Sequence, residues 1–270
     1  MKAADGVQGQ RMIVVGASSG IGRGLATSLA QQGATVVASA RRIDRLIELP
    51  GVIPIACDVT ASGDVESLVE QAVERLGGLD ALIYAAGLSR LHRLEKATIE
   101  DWQELYSINL FGAAILTRAA LPHLLAHGSR GRAVYLSSDA AVRPYPGLVI
   151  YGTTKAALSA FTQGLASEFA SLRVTEVVVG PTAGTEVAVH FDPQLLGEWL
   201  PIWFEQGFVR YDMLQVEDVA SMIIEVLVAD EPPSRLIATG PEGGQSLDDV
   251  ERSMPDDQPE VGSALPGRQQ

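Results

Sequence analysis

Short apolar runs that alternate with helical stretches constrain the fold of this chain more than any other feature. Because a connection between parallel strands needs a dozen or more residues and is usually a helix, the alternation predicts βαβ units. A chain of 270 residues has room for one such domain with a full core. We therefore predict an α/β fold, a doubly wound parallel sheet of about seven strands with helices on both faces, in a single domain. The apolar runs are residues 12 to 16, 34 to 39, 52 to 56, 79 to 84, 132 to 137, 174 to 179 and 235 to 239.

The first apolar run leads into a glycine-rich turn. Met12–Val15 is typical of a buried parallel strand, and Gly16-Ala-Ser-Ser-Gly20-Ile-Gly22 follows it before a helical pattern begins. Unpaired N–H groups at a helix N-terminus attract a pyrophosphate, and glycines let the backbone approach it closely. The spacing differs from the Gly-x-Gly-x-x-Gly fingerprint. On its own, the turn is compatible with a nucleotide site and with an ordinary connection.

Tyr151 and Lys155 are four residues apart, which places a phenol and an ammonium on one face of a helix. A free tyrosine has a pKa near about 10, and a neighbouring cation lowers that pKa towards the range of a general base. The pair therefore indicates proton transfer, although the same spacing also occurs at the edge of an amphipathic helix.

Five motifs in register resemble those of the short-chain dehydrogenase/reductase family. Besides the glycine turn and the Tyr151–Lys155 pair, they are Tyr84-Ala-Ala-Gly87 where the family has Asn-Ala-Gly-Gly, Ser107-Ile-Asn109-Leu, and Leu136-Ser-Ser138 thirteen residues before Tyr151. The resemblance runs from about Met12 to about Gly240 and implies a Rossmann-like fold, a nicotinamide dinucleotide and oxidoreductase activity. Tyr84 departs from the family's asparagine, and we expect this change to cost a hydrogen bond between strands.

The resemblance also implies four catalytic residues, Asn109, Ser138, Tyr151 and Lys155. Nicotinamide would exchange hydride with the carbon of a carbonyl or secondary alcohol while Tyr151 supplies the proton and Ser138 hydrogen-bonds the oxygen. Lys155 would lower the tyrosine pKa and hold the nicotinamide ribose, and Asn109 would carry a water that links Lys155 to solvent. As alternatives, Asn109 can cap or kink its helix, and Ser138 can end its strand in an ordinary turn.

The same resemblance assigns the cofactor residues. Asp58 would contact the adenine, or else cap the next helix near Ser62. Thr185 would bind the carboxamide, although it comes one residue earlier than the family's threonine. The full set is Gly16, Ser18, Ser19, Gly20, Ile21, Gly22, Arg41, Arg42, Asp58, Val59, Ala85, Ala86, Gly87, Tyr151, Lys155, Pro181 and Thr185.

The end of the second strand predicts which dinucleotide binds. An NAD enzyme normally carries an acid about 20 residues beyond the glycine turn, whereas here Ala40 takes that place and Arg41 and Arg42 follow. Guanidinium groups bind phosphate bidentately. We expect NADP(H) in preference to NAD(H), with Arg41 as the chief contact and Arg42 assisting. The alternative is that both arginines are solvated loop residues.

Residues from about 186 to 212 are rich in large apolar side chains, including Trp199 and Trp203. In the family this insertion is a substrate lid, and apolar lids exclude water once they close. The composition favours a bulky, largely apolar ketone or alcohol as the small-molecule substrate. Alternatively, the aromatics pack the lid onto the body or onto a partner subunit.

The formal net charge of −13 speaks against nucleic acid or an anionic membrane as a partner. The start of the chain is too polar for a signal peptide, and its apolar runs fall short of the roughly 20 residues that span a bilayer, so we expect a cytoplasmic location. We divide the chain into a polar extension (1–10), a catalytic domain (11–243, with the lid) and an acidic, flexible tail (244–270).

The single cysteine, Cys57, excludes an internal disulfide and is typical of a core residue. His123 and His127 share a helix face but lack the glutamate of a HExxH motif, so no metal is expected. The helices that hold Asn109 and Tyr151 are apolar on several sides, and in the family they form subunit interfaces. We therefore expect a homo-oligomer, a tetramer or a dimer.

Two other functions stay open. A catalytically silent NADP(H)-binding protein would act as a regulator or an assembly subunit, although such proteins generally lack the tyrosine or lysine that this chain retains. An epimerase or dehydratase with a retained cofactor generally has a larger second domain, for which this chain leaves little room.

Overall fold

The computed structural model describes residues 6–126, 131–210 and 213–238. Its strands are β1 (Arg11–Val15), β2 (Thr35–Ala40), β3 (Val52–Ala56), β4 (Ala81–Tyr84), β5 (Arg132–Ser138), β6 (Arg173–Val179), β7 (Thr182–Ala183), β8 (Leu214–Gln215) and β9 (Arg235–Ala238). Seven of them form one sheet in the order β3-β2-β1-β4-β5-β6-β9, and its neighbouring strands all run parallel. The short strands β7 and β8 pair with each other in a separate two-stranded sheet.

Helices connect the parallel strands, as such crossovers require. They are α1 (Gly20–Gln31), α2 (Ile43–Ile47), α3 (Ser62–Leu76), α4 (Ile99–Tyr106), α5 (Gly112–Leu125), α6 (Val149–Glu168), α7 (Pro193–Glu205) and α8 (Val216–Val228). A π-helical turn, Ser107–Phe111, joins α4 to α5.

Both faces of the sheet are covered, which explains why its strands are continuously apolar. Met12 and Val14 of β1 face a core formed with α1, α2 and α8. Ile13 and Val15 point to the opposite core, which α3, α5 and α6 complete. The predicted single α/β domain, with a doubly wound parallel sheet, is confirmed, and the strand ends differ from the predicted ones by at most two residues.

The strand order reverses at β1, which lies between β2 and β4. In open parallel sheets a crevice forms outside the carboxyl ends of the strands at such a reversal, and ligands bind there. Gly16 follows β1 and Ala85 follows β4, and the Ala85 N–H donates to the Val15 carbonyl at 2.8 Å. The sheet topology therefore points to the glycine turn as one wall of a binding site.

The continuous helix Ile99–Leu125 has 27 residues and a mean hydropathy of 1.3, which by length and composition would suffice to cross a membrane. The core helix of a globular domain passes the same test. Here Leu116 and Leu124 are fully buried and pack with the sheet, so the apolar character of this helix is explained by the core.

The two ends of the predicted domain differ in what the structure describes. Val7 is buried, and the Gly9 N–H donates to the Gly33 carbonyl at 2.9 Å, so part of the predicted polar extension packs on the body. The predicted acidic tail, 244–270, and His127 lie outside the described residues. Cys57 is buried, and burial raises the pKa of its thiol to about 12.

Candidate active site

The glycine turn after β1 is shaped by close approaches that exclude larger residues. Gly16 has a φ of +88°, and a Cβ on it would lie 2.5 Å from the Ala86 nitrogen. A Cβ on Gly22 would lie 2.4 Å from the Gly16 carbonyl oxygen. The Ser19 side chain, at the N-cap of α1, makes no capping hydrogen bond. The N–H groups at the start of α1 are therefore oriented for an anion, as a dinucleotide pyrophosphate requires.

The four predicted catalytic side chains are all buried. Ser138 ends β5, Tyr151 and Lys155 lie on α6, and Asn109 lies in the π-helical turn. Lys155 Nζ is 5.8 Å from the centroid of the Tyr151 ring and donates to the Leu136 carbonyl at 2.9 Å. A Cβ on Gly87, beyond β4, would lie 3.5 Å from Lys155 Nζ and 3.6 Å from Asn109 Oδ1. The folded chain thus brings two strand ends, the π-helical turn and one helix together here.

Burial controls the acidity of the central pair. It raises the pKa of Tyr151 to about 12, against an opposing hydrogen bond with Ser138, and lowers the pKa of Lys155 to about 8. We predicted that Lys155 lowers the pKa of Tyr151, whereas in the structure that pKa is raised. The physical reason is that loss of hydration disfavours the charged form of both groups, while the ammonium donates to the Leu136 carbonyl.

Asn109 joins two parts of the site. Its Oδ1 accepts from the Leu88 N–H at 2.8 Å, and its Nδ2 donates to the Leu88 carbonyl and to Thr154 Oγ1, each at 2.9 Å. Tyr84 supports the same region, because its hydroxyl donates to the Ile108 carbonyl at 2.6 Å. The side-chain amide of Asn109 is thus engaged in tying the segment after β4 to α6. The tyrosine that replaces the family's asparagine holds the π-helical turn.

A cluster of two arginines and one carboxylate lies beside the glycine turn. Arg42 donates to Ser18 Oγ at 3.0 Å, to Ser19 Oγ at 3.2 Å and to Glu186 Oε2 at 2.7 Å. Arg45 donates to Glu186 Oε1 at 2.5 Å. The two guanidinium groups lower the pKa of Glu186 to about 2. Sequence reasoning missed Arg45, because it is one residue in a short helix and its partner is far away in the chain.

The other predicted cofactor residues take different places. Asp58 Oδ1 accepts from the N–H and hydroxyl of Thr60 at 2.9 and 2.7 Å, and these hydrogen bonds, with a smaller contribution from the charge of Arg41, lower the pKa of Asp58. Asp58 therefore closes its own turn instead of capping near Ser62. The Thr185 hydroxyl donates to the Thr182 carbonyl at 3.0 Å, and Thr185 Cα would be 3.5 Å from a Cβ on Gly20. Pro181 precedes this loop, which lies against the start of α1.

Residues of the predicted lid segment pack in one apolar cluster with Tyr151. Trp203 is buried, and its Nε1 donates to the Pro146 carbonyl at 3.1 Å. Trp199 covers Gly147, and the Arg93 guanidinium lies 5.7 Å from the centroid of the Trp199 ring. Together these lid residues and the body form an apolar cluster around the site: Leu91, Ala140, Tyr145, Leu148, Tyr151, Trp203, with Phe191, Leu195, Leu196, Trp199, Leu200, Phe208 and Val209 packed against it.

Sequence reasoning also missed a buried carboxyl next to Ser138. Asp139 is 5% exposed, and its Oδ2 lies 2.8 Å from the hydroxyl of Tyr145. Burial raises the pKa of this carboxyl above its ordinary value. An acid directly after Ser138, the predicted catalytic serine, in a run of otherwise small residues, is the signal that could have drawn attention to it.

Comparisons with known proteins agree with this geometry. The family model described as short chain dehydrogenase matches residues 10–195. Glycine betaine reductase of Emericella nidulans is 35% identical over 231 residues, 82% of this chain and 18% of that protein. 11-beta-hydroxysteroid dehydrogenase A of Sesamum indicum is 37% identical over 176 residues, 62% of this chain and 50% of that protein. This chain therefore spans half or less of the length of these two curated relatives.

Solved structures extend the similarity to most of the chain. A short-chain dehydrogenase from Burkholderia cenocepacia, solved in complex with NADP, is 27% identical with a TM-score of 0.74, over 87% of this chain and 98% of that one. The match to the family model covers well over half of the sequence and includes the glycine turn, Ser138, Tyr151 and Lys155. This chain belongs to the short-chain dehydrogenase family of oxidoreductases.

Proposed function

We propose that this protein is an NADP(H)-dependent oxidoreductase that interconverts a carbonyl and a secondary alcohol on a bulky, largely apolar substrate. The observation that carries the proposal is the convergence of Ser138, Tyr151 and Lys155 in one buried site beside the glycine turn. The shape of that turn, which a Cβ on Gly16 or Gly22 would fill, fits a dinucleotide. When bound, NADP(H) supplies or accepts the hydride.

In the reductive direction, the residues of the chain handle the proton. Tyr151 donates its phenolic proton to the carbonyl oxygen as the carbon becomes tetrahedral, and Ser138 donates a hydrogen bond to the same oxygen. The ammonium of Lys155 stabilises the negative charge that develops on the phenol oxygen. Oxidation of the alcohol runs through the same groups in reverse, with Tyr151 accepting the proton.

The preference for NADP(H) is supported by the pair Arg42 and Arg45. Both guanidinium groups donate to one carboxylate, that of Glu186, beside the serines of the glycine turn. A phosphate monoester presents the same kind of acceptor oxygens with a larger charge. We therefore assign the 2′-phosphate to Arg42 and Arg45, with Arg41 in a lesser role than the sequence suggested.

The substrate class is supported by the lining of the site. Tyr151 lies in a cluster with Leu91, Leu148 and Trp203, all less than one tenth exposed. Such a lining favours a ligand that buries apolar area around one polar group. The sesame relative is named for a hydroxysteroid, which is a large apolar secondary alcohol.

The proposal is tested with aliphatic, aromatic and polycyclic ketones followed through NADPH absorbance. We expect turnover with at least one bulky ketone, and loss of that turnover in Tyr151→Phe, which keeps the ring and removes the hydroxyl. NADPH binding to this variant, measured by titration of nicotinamide fluorescence, controls for folding. Tight NADPH binding without turnover across the whole panel would favour a catalytically silent binding protein.

We further propose a cytoplasmic homo-oligomer that binds neither nucleic acid nor membrane, consistent with the acidic composition. Assembly is supported by large apolar side chains left exposed on neighbouring helices, namely Ile99 (63%), Phe111 (52%) and Val149 (44%). Exposed apolar side chains on helices that pack together are candidate subunit contacts.

A further inference from the structure

The hydroxyl of Tyr145 lies between two oxygen atoms. It is 2.8 Å from Asp139 Oδ2 and 2.8 Å from the main-chain carbonyl oxygen of Phe208, which belongs to the lid segment. A phenol has one hydrogen, and a carbonyl oxygen can only accept. Both contacts are hydrogen bonds at once if Tyr145 donates to Phe208 and the carboxyl of Asp139 donates to Tyr145. That arrangement requires Asp139 to carry a proton.

The surroundings of Asp139 favour this neutral form. The residue is 5% exposed, and its burial raises the pKa of the carboxyl, against hydrogen bonds from Tyr145 and Ser138 that lower it. The cation that faces it is Arg143, whose Nη1 is 3.9 Å from Asp139 Oδ2, too far for a hydrogen bond; its charge lowers the pKa of Asp139, but burial raises that pKa by more. Tyr151 faces it from α6, where a charge on Asp139 raises the tyrosine pKa.

The protonation state of Asp139 decides what Ser138 can do. Ser138 Oγ lies 3.3 Å from Asp139 Oδ1 and accepts from the Ala140 N–H at 3.2 Å. If the carboxyl were ionised, it would attract the serine hydrogen and raise the pKa of Tyr151. If it is neutral, the serine hydrogen is available to a substrate oxygen and Tyr151 is a stronger acid.

We propose that Asp139 is a protonated positioning residue. Through Tyr145 and the Phe208 carbonyl, it couples closure of the lid to the ability of Ser138 to donate its hydrogen to a substrate oxygen. This inference rests on the proposed function, since Ser138 acts on a substrate there. When the lid moves away, Phe208 no longer accepts from Tyr145, and the phenol can donate to an ionised Asp139 instead. Closure of the lid is therefore accompanied by the uptake of one proton at Asp139. The closed form is favoured at pH values below the raised pKa of Asp139 and is weakened as pH rises through it.

One test reads protonation directly and needs no substrate. Infrared difference spectra of the full chain at neutral pH, wild type against Asp139→Asn, should show a protonated carboxyl band that the variant lacks. Fluorescence of Trp199 and Trp203 should titrate with pH in the wild type, and this titration should be absent in Asp139→Asn and in Tyr145→Phe. If no protonated carboxyl disappears with the substitution, the inference is overturned whatever the enzyme's activity.

A second test uses the reaction. An asparagine can donate to Tyr145 as the neutral acid does, whereas alanine cannot, so kcat of Asp139→Asn should exceed that of Asp139→Ala by about tenfold or more. The Asn variant should also lose one pH dependence that the wild type shows. Equal impairment of both variants, or an unaltered pH profile in Asp139→Asn, would overturn the coupling. Absence of turnover despite a protonated carboxyl would count against the proposed function alone.

Discussion

At the scale of single residues, Lys155 makes the most direct pH prediction. Its pKa is lowered to about 8 by burial, so the ammonium loses its proton as pH rises through that value. We expect the reductive kcat to fall above about pH 8, because the developing phenolate then loses its cation. Measured kcat at saturating NADPH and substrate checks this.

Two substitutions sharpen this pH test. Arginine keeps its charge to much higher pH, so Lys155→Arg, if active, should shift the fall upward. The exposed Lys96 offers the control Lys96→Arg, which should leave the profile as it is. A wild-type rate that stays constant through pH 8 would show that the charge of Lys155 does not matter.

Arg42 and Arg45 make a prediction about cofactor choice. Arg42→Ala and Arg45→Ala should each weaken NADPH binding by about tenfold or more, because each removes a charge-assisted contact to phosphate. NADH binding should change little. Glu186→Gln should tighten NADPH binding, because the carboxylate that now accepts from both arginines loses its charge. Dissociation constants from fluorescence titration provide the measurement.

The variant Arg41→Ala tests whether Arg41, as the sequence suggested, or Arg42 is the chief contact to the phosphate. If Arg41→Ala weakens NADPH binding more than Arg42→Ala does, the sequence-based assignment of the chief contact is right. The exposed Arg118 serves as a control for charge alone, since it pairs with Glu66 away from the glycine turn. Because Glu186 has a pKa of about 2, its competition with phosphate should persist until pH falls through that value.

The sequence could predict residues whose role depends on local spacing, and it missed those that depend on distant contacts. Gly16 and Gly22, or Tyr151 and Lys155, are close in sequence and share one turn or one helix face. Asp139 meets the Phe208 segment through Tyr145, which lies 63 positions before Phe208 in the chain. No local pattern records such a meeting.

At the scale of elements, the lid helix α7 rests on a glycine. Gly147 has a φ of +84°, and a Cβ there would lie 2.0 Å from the ring of Trp199. Gly147→Ala should therefore displace α7 and lower the free energy of unfolding by about 1 to 3 kcal/mol. Urea unfolding measures the stability, and a red shift of tryptophan emission reports the displaced lid.

Gly197 is the matched control, because it lies on α7 itself and a Cβ there would contact nothing within 4 Å. Gly197→Ala should stabilise the helix by up to about 1 kcal/mol. If both variants behave alike, the contact between Trp199 and Gly147 does not hold the lid.

Helices and strands differ in how far the sequence defined them. The apolar runs located all seven strands of the large sheet, because strands buried on both faces need apolar side chains throughout. The π-helical turn Ser107–Phe111 was not foreseen. It inserts one extra residue into a helix whose apolar pattern continues on either side, and the hydroxyl of Tyr84 holds one of its carbonyls.

At the scale of the whole molecule, the exposed apolar side chains predict assembly. Phe111→Glu would place a charge on the helix face that we assign to a subunit contact, and burying it would be costly. We expect the wild type to have the mass of a dimer or tetramer at micromolar concentration, and the variant a smaller mass. Light scattering coupled to size exclusion measures both. A monomeric wild type would contradict the assignment.

The topology of the sheet explains why several strands contribute residues to one site. Residues after β1, β4, β5 and β6 meet at a common edge because parallel strands end there together. This much follows from the predicted fold. The identity of the substrate does not, because it depends on how the lid segment packs over Tyr151, and packing of that kind is set by side-chain shapes and not by sequence period.

The burial of Cys57 has a practical consequence. Its thiol is 2% exposed with a pKa raised to about 12, and the sequence contains no other cysteine. Alkylating reagents attack thiolates, so the native chain should resist labelling. A cysteine introduced at the exposed Gly197 would then be the one position that a dye or spin label modifies, and the label would report movements of α7 without background from the rest of the molecule.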